Sequence, residues 1–198
     1  MTIEKHRQWG SPSPLPADAP VASSDAELAA LVARGIGPIG ILGGDLCRTV
    51  GGNGNRDRLR SGEAVSLPCD VLQVELDSQA SIAVAHVVLR RSWWRGPLVA
   101  VMNAQFIGEW NVAPRSHPND GLMDVLSADA MSFDQRLKAK RRLPSGVHVP
   151  HPNIAQSRTA TWERRFERPI GVWLDGVAHG RATQVSITVR PDAMTIVV

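Results

Sequence analysis

The stretch from Val99 to Leu126, VAVMNAQFIGEWNVAPRSHPNDGLMDVL, constrains the fold more than any other part of the chain. An apolar run to Met102, a polar break at Asn103, a second run through Gly108 to Val112, a Pro-rich turn and a third run after Asp120-Gly121 read as strand, turn, strand, loop, strand. Within it, Arg115 to Gly121 sets the Asp120 carboxylate beside a glycine able to take positive φ, where backbone carbonyls can converge on a hard cation. The same residues also suit an ordinary tight turn. Both readings of Asp120 stay open at this point.

With 198 residues the chain is long enough for a sizeable core, as one domain or as one domain plus a small lobe. No apolar run approaches the roughly 20 residues needed to span a bilayer. The N-terminal MTIEKHRQWGSPSPLPADAP has no apolar h-region, so a cytoplasmic protein is expected, peripheral at the membrane if it meets one. Cys47 and Cys69 have neither zinc spacing nor redox-motif neighbours and are expected to be reduced and structural. A formal charge of +3 does not imply a nucleic-acid partner. The basic residues nevertheless gather at Arg90, Arg91 and Arg95, at Arg136 to Arg142, and at Arg164, Arg165 and Arg168, which suits a lipid headgroup or an anionic membrane surface.

Taken in order, residues 1–21 read as an extended Pro/Ser-rich arm with Trp9 as its anchor. Residues 22–66 read as a reduced α/β lobe. Ser24 or Asp25 caps a helix carrying Leu28, Leu31 and Val32, which stops at Gly35, and Pro38 to Leu42 forms a buried strand. Gly43-Gly44-Asp45 then leads into a helix over Leu46 to Val50. A glycine pair in that position either exposes backbone N–H groups to a phosphate or makes a plain turn.

From residue 67 the pattern is mainly β, with strands expected at Val71–Leu76, Ile82–Leu89, Thr159–Phe166, Ile170–Leu174, Gln184–Val189 and Met194–Val198. Turns are expected at Asp175-Gly176 and at Pro191-Asp192-Ala193. Between strands, Trp93 and Trp94 beside Arg91 and Arg95 suit a headgroup boundary, or cover the end of a sheet. Ser132 and Gln135 form a capping box for a basic helix from Phe133 to Leu143. His148 and His151 have metal-like spacing but no third ligand nearby, and read as structural.

Several motifs, in this order, resemble the bacterial diacylglycerol kinase family, which includes sphingosine and ceramide kinases. They are Asn103-Ala104, Gly108, Ala113-Pro114 and Asp120-Gly121-Leu122-Met123-Asp124-Val125, together with Pro38 to Leu42 and Asp45 to Arg48. The resemblance implies an α+β chain, a truncated α/β nucleotide-type lobe followed by an antiparallel β-sandwich lobe. It implies Mg and ATP as cofactors, Asp25, Gly43, Gly44 and Asp45 at the nucleotide, and Asp120 as ligand of a structural magnesium. It also places Val177 where the family has its catalytic Glu, leaving Asp175 and His179 as the nearest titratable groups. The Gly-Gly-Asp-Gly-Thr motif is represented only by Val21 to Glu27, without its glycines.

Three functions are compatible with this pattern. One is a diverged relative without ordinary kinase activity that binds a lipid or anionic membrane through its β-rich lobe. Another is an active transferase with a rearranged site. The third is an interaction protein whose incomplete lobe pairs with another chain, for instance as a homo-oligomer.

Overall fold

In the computed structural model the described residues are 9–129 and 131–198. The short strands β1 (Ser11–Pro12) and β2 (Val21–Ala22) lead into helix α1 (Asp25–Ala33), strand β3 (Ile39–Ile41) and helix α2 (Asp45–Thr49). After a 3-10 turn at Arg58–Arg60 come β4 (Val65–Leu76), β5 (Gln79–Ala83), β6 (His86–Arg90) and β7 (Leu98–Met102). The small hairpin β8 (Phe106–Ile107) and β9 (Trp110–Asn111) precedes β10 (Met123–Ser127), and helix α3 (Phe133–Arg142) follows. The chain closes with β11 (Ala155–Thr159) and the long hairpin β12 (Thr161–Leu174) and β13 (Val177–Val197).

The main sheet runs β1-β4-β13-β12-β6-β7-β10-β11, with β5 added on β4 and the parallel pair β2-β3 added on β13. Apart from these parallel pairings of β3 with β2 and β13, neighbouring strands are antiparallel. Successive side chains on a strand alternate faces, and β4 uses both. Leu72, Val74 and Leu76 enter a sandwich core with Leu89, Val101 and Ile187. Leu67, Cys69 and Val71 enter a second core against the helices, with Leu28, Ile39, Leu46 and Cys47. β13 also serves both: Val185, Ile187 and Val189 face the first core, Met194 and Ile196 the second.

This second core crosses the position at which the sequence suggested a change of lobe. β2 and β3 share the sheet of β13, and α1 and α2 rest on the β4 face. The structure also differs from expectation in four local details. The second run of the Val99–Leu126 stretch, through Gly108 to Val112, is not one strand but the β8–β9 hairpin, which turns at Gly108 with φ 57°. Pro191-Asp192-Ala193 is not a hairpin turn but an irregularity within one strand, where the register with β4 shifts between Arg190 and Met194 and Asp192 takes φ 52°. The run Ile82–Leu89 is broken at Val84-Ala85 into β5 and β6, because the Asp175 carboxylate takes the N–H groups that would continue a ladder. The two strands expected at 159–174 are one strand after Ala160, with a register shift between Arg165 and Ile170.

Asn103, fully buried, ties these pieces together. Its side-chain amide donates to the Asp70 carbonyl at 3.0 Å and to the Val84 carbonyl at 2.8 Å, joining β4 to the β5–β6 break. Removing a donor from two buried carbonyls costs their desolvation as well as the bonds. Asn103→Ala is expected to lower stability by about 2 to 4 kcal/mol in urea unfolding, with little change in the slope of the transition.

Candidate functional site

Three carboxylates and one imidazole meet where α2 approaches the β5–β6 break. Gly44 precedes the first turn of α2 with φ 98°, and a side chain there would collide with the Asp25 carboxylate at 2.4 Å; a side chain on Gly43 would meet the Ser23 carbonyl at 2.5 Å. The glycine pair therefore admits the chain of α1, and Asp25 fills the slot so opened. Its carboxylate accepts the backbone N–H groups of Asp45 and Leu46, the first donors of α2. A negative group at a helix N-terminus is favoured by the unpaired N–H groups there. In this protein that group is a side chain of the chain itself.

Asp45 in turn receives the Gly108 N–H on Oδ1 at 2.8 Å and lies 3.0 Å from His86 Nε2 through Oδ2. Asp175, in the β12–β13 turn with φ 48°, accepts the N–H groups of Val84, Ala85 and His86 at 2.8 to 3.0 Å. Burial pushes Asp25 up to about 6; its two amide donors oppose this, and the Asp175 and Asp45 charges add to it. Burial likewise raises Asp175 against its amide donors and the nearby His86. Burial of His86 favours the neutral ring, but its bond to Asp45 and the Asp175, Asp45 and Asp25 charges outweigh that and raise its pKa.

These residues do not fit magnesium and a triphosphate. The α2 N–H groups face Asp25, and both oxygens of Asp25, Asp45 and Asp175 are already engaged by donors of this chain. Among the described residues no group of three or more His, Cys, Asp or Glu is arranged to hold a metal ion.

The structure separates the other residues singled out from the sequence. Val177 is 52% exposed and lines a cleft of about 790 Å³ with His179, Asp175, Arg190 and the alanine face of α1. His179 Nε2 lies 2.9 Å from the Ser81 hydroxyl. Asp120 lies elsewhere, paired with the Arg158 guanidinium and accepting the Leu122 N–H at 3.0 Å. His148 is buried beside an apolar cavity, and burial lowers its pKa.

That cavity, about 250 Å³, lies between α3 and the β6–β7–β10 face. Trp93, Trp94, Ile107, Trp110, Leu126 and Leu143 are among the residues that line it. Trp93 and Trp110 meet edge to face at 5.5 Å, and Trp94 packs on Phe133, which is 48% exposed. Lys140 Nζ stands 5.3 Å from the Trp94 ring centre, at a cation–π distance. Arg91 and Arg95 are exposed on the same loop as the tryptophans. Arg136 is buried and donates to the carbonyls of Trp93, Gly96 and Ala128, so it fastens the tryptophan loop to α3.

Sequence reasoning missed His86, Arg136 and Trp110. A histidine inside the apolar run Ile82–Leu89 was a usable signal, since buried polar groups need partners. Arg136 was hidden among the basic residues of α3, which gave no hint that one of them turns inward.

Residues 67–198 match the family described as the YegS C-terminal NAD kinase beta sandwich-like domain. The chain belongs to that family. This match bears out the resemblance of the motifs to the diacylglycerol and lipid kinases. No curated protein matches this chain. Among solved structures, two of a candidate diacylglycerol kinase from Bacillus anthracis str. Sterne align with TM-scores of 0.66 and 0.67 at 14% identity, covering 87% and 89% of this chain and 75% and 76% of theirs. A diacylglycerol kinase structure from the same organism aligns at 0.59 and 13% identity, covering 87% of this chain and 73% of that one. At such identity the likeness shows the fold.

The pKa of Asp25 makes a signed prediction. An acid whose folded value of about 6 exceeds its ordinary 3.8 favours the native state when protonated. Its contribution is complete below about pH 4 and is lost as pH rises through about 6, a change on the order of 2 to 3 kcal/mol. Measured by urea unfolding, the parent protein should lose more stability across this window than Asp25→Asn does, by about that amount.

Proposed function

We propose that this chain is a lipid-binding relative of the diacylglycerol kinases without ordinary kinase activity, taking an acyl chain into the α3 cavity and an anionic headgroup at its mouth. The observation that supports this most is the apolar cavity with Lys140 over Trp94 and the exposed Phe133 packed on the same Trp94 ring. Apolar walls with a few polar groups at the rim suit an amphiphile. Arg91 and Arg95 extend the positive rim, and indole rings beside cations match the boundary between hydrocarbon and headgroup. No described helix is long and apolar enough to cross a membrane.

The absence of kinase chemistry in this reading rests on the polar cluster. Phosphoryl transfer to a hydroxyl needs a positioned base and charge stabilisation of the phosphates. Val177 offers no proton acceptor, and the Asp25, Asp45 and Asp175 oxygens face donors of their own chain.

Two measurements test the reading. Phosphatidylglycerol vesicles should retain the protein at low salt, phosphatidylcholine vesicles should retain it less, and the difference should shrink as salt rises. Ala139→Phe, which fills the cavity from α3, should weaken retention about tenfold, equal to about 1.4 kcal/mol. Equal partition into vesicles and buffer would overturn lipid binding. Incubated with Mg-ATP labelled in the γ-phosphate and a total lipid extract, the protein should leave the lipid unlabelled beside a working lipid kinase. A labelled lipid would overturn the loss of activity.

A further inference from the structure

The loop at Asp120 is a gathering of acidic groups far from the polar cluster in sequence. Asp124 is 1% exposed, Asp70 fully buried, and the Asp120 side chain 17% exposed. Asp70 is committed to the backbone, accepting the N–H groups of Gly121 at 2.7 Å and Asp192 at 3.0 Å. Burial raises the pKa of Asp124 and Asp70, and in both cases Asp120 raises it further. Ionised this close together, these carboxylates are stabilised by a counter-charge.

Arg158 supplies it. On β11 it is the direct cross-strand partner of Asp124 on β10, so register rather than rotamer choice brings the two side chains to one face of the sheet. Its guanidinium pairs with Asp120 Oδ2, and its Nε lies 3.5 Å from Asp124 Oδ1, an oxygen with no hydrogen-bond donor of its own. One group therefore bridges two carboxylates that come from either side of the Asp-Gly turn. We propose that Arg158 is a tethered cation that stands in for a divalent ion at this turn, so that the fold of this chain does not depend on a metal there. The inference is independent of lipid binding, since the turn and the α3 cavity share none of the residues used here.

The proposal sets two expectations for thermal unfolding at constant ionic strength. First, the parent protein should melt at the same temperature in EDTA, in Mg²⁺ and in Ca²⁺. Second, Arg158→Ala should melt on the order of 4 °C lower in EDTA. It should recover most of that loss in millimolar Ca²⁺ or Mg²⁺, because the vacated Asp120 and Asp124 oxygens suit a hard cation. A rise of the parent's melting temperature with either ion would overturn the proposal. So would an Arg158→Ala protein as stable as the parent in EDTA, or a loss that neither ion recovers. Should Arg158→Ala fail to fold, Arg158→Lys keeps the positive charge on a shorter reach. It should melt below the parent in EDTA and gain from neither ion, whereas stabilisation by either would count against the tethered charge.

Discussion

The carboxylate of Asp25 at the start of α2 is the contact on which the arrangement of the helical side depends. It joins α1 to α2 without any helix-to-helix interface of size, requires Gly44 to lack a side chain, and leaves Asp45 turned toward His86 and the β8–β9 hairpin. That hairpin carries Ile107 and Trp110 into the wall of the apolar cavity. Arg48 strengthens the same link, donating to the Gly108 carbonyl at 2.7 Å while its guanidinium lies over Phe106. A chain of short polar contacts thus runs from the N-terminal helix to the cavity.

A common physical logic connects the polar cluster with the Asp-Gly turn. Ionic positions are filled from within the chain: an Asp side chain lies at a helix N-terminus, an imidazole beside Asp45, a guanidinium at the acidic turn. Side chains held by covalent attachment lose less freedom on ordering than free ions do, but they surrender the ability to exchange. In the proposed reading such groups maintain the shape of both places, and the amphiphile is taken up in the apolar cavity.

Much of the β-rich part was legible because strand periodicity and turn residues are local. The Asp175-Gly176 hairpin, the Ser132–Gln135 capping box and the strands around Asn103 follow from neighbours a few residues away. What was hidden depends on partners distant in sequence. Nothing near Gly43-Gly44 reveals that Asp25 fills their slot, and nothing near Asp120 announces Arg158, 38 residues on. Cross-strand register had to be known first. Likewise the expected break between lobes near residue 66 came from composition, whereas β4 continues through it with side chains buried on both faces.

The double-sided use of β4 and β13 has a consequence for how the protein comes apart. Each strand is a shared wall, so loosening one core removes the support of the other, and heat or denaturant should meet one obstacle instead of two in succession. A piece cut from residue 67 onward would bring Leu67, Cys69 and Val71 to the surface as an oily stripe beside an unpaired length of β13. The segment that defines family membership is therefore a poor unit for excision, and the short helices before it act as its cover.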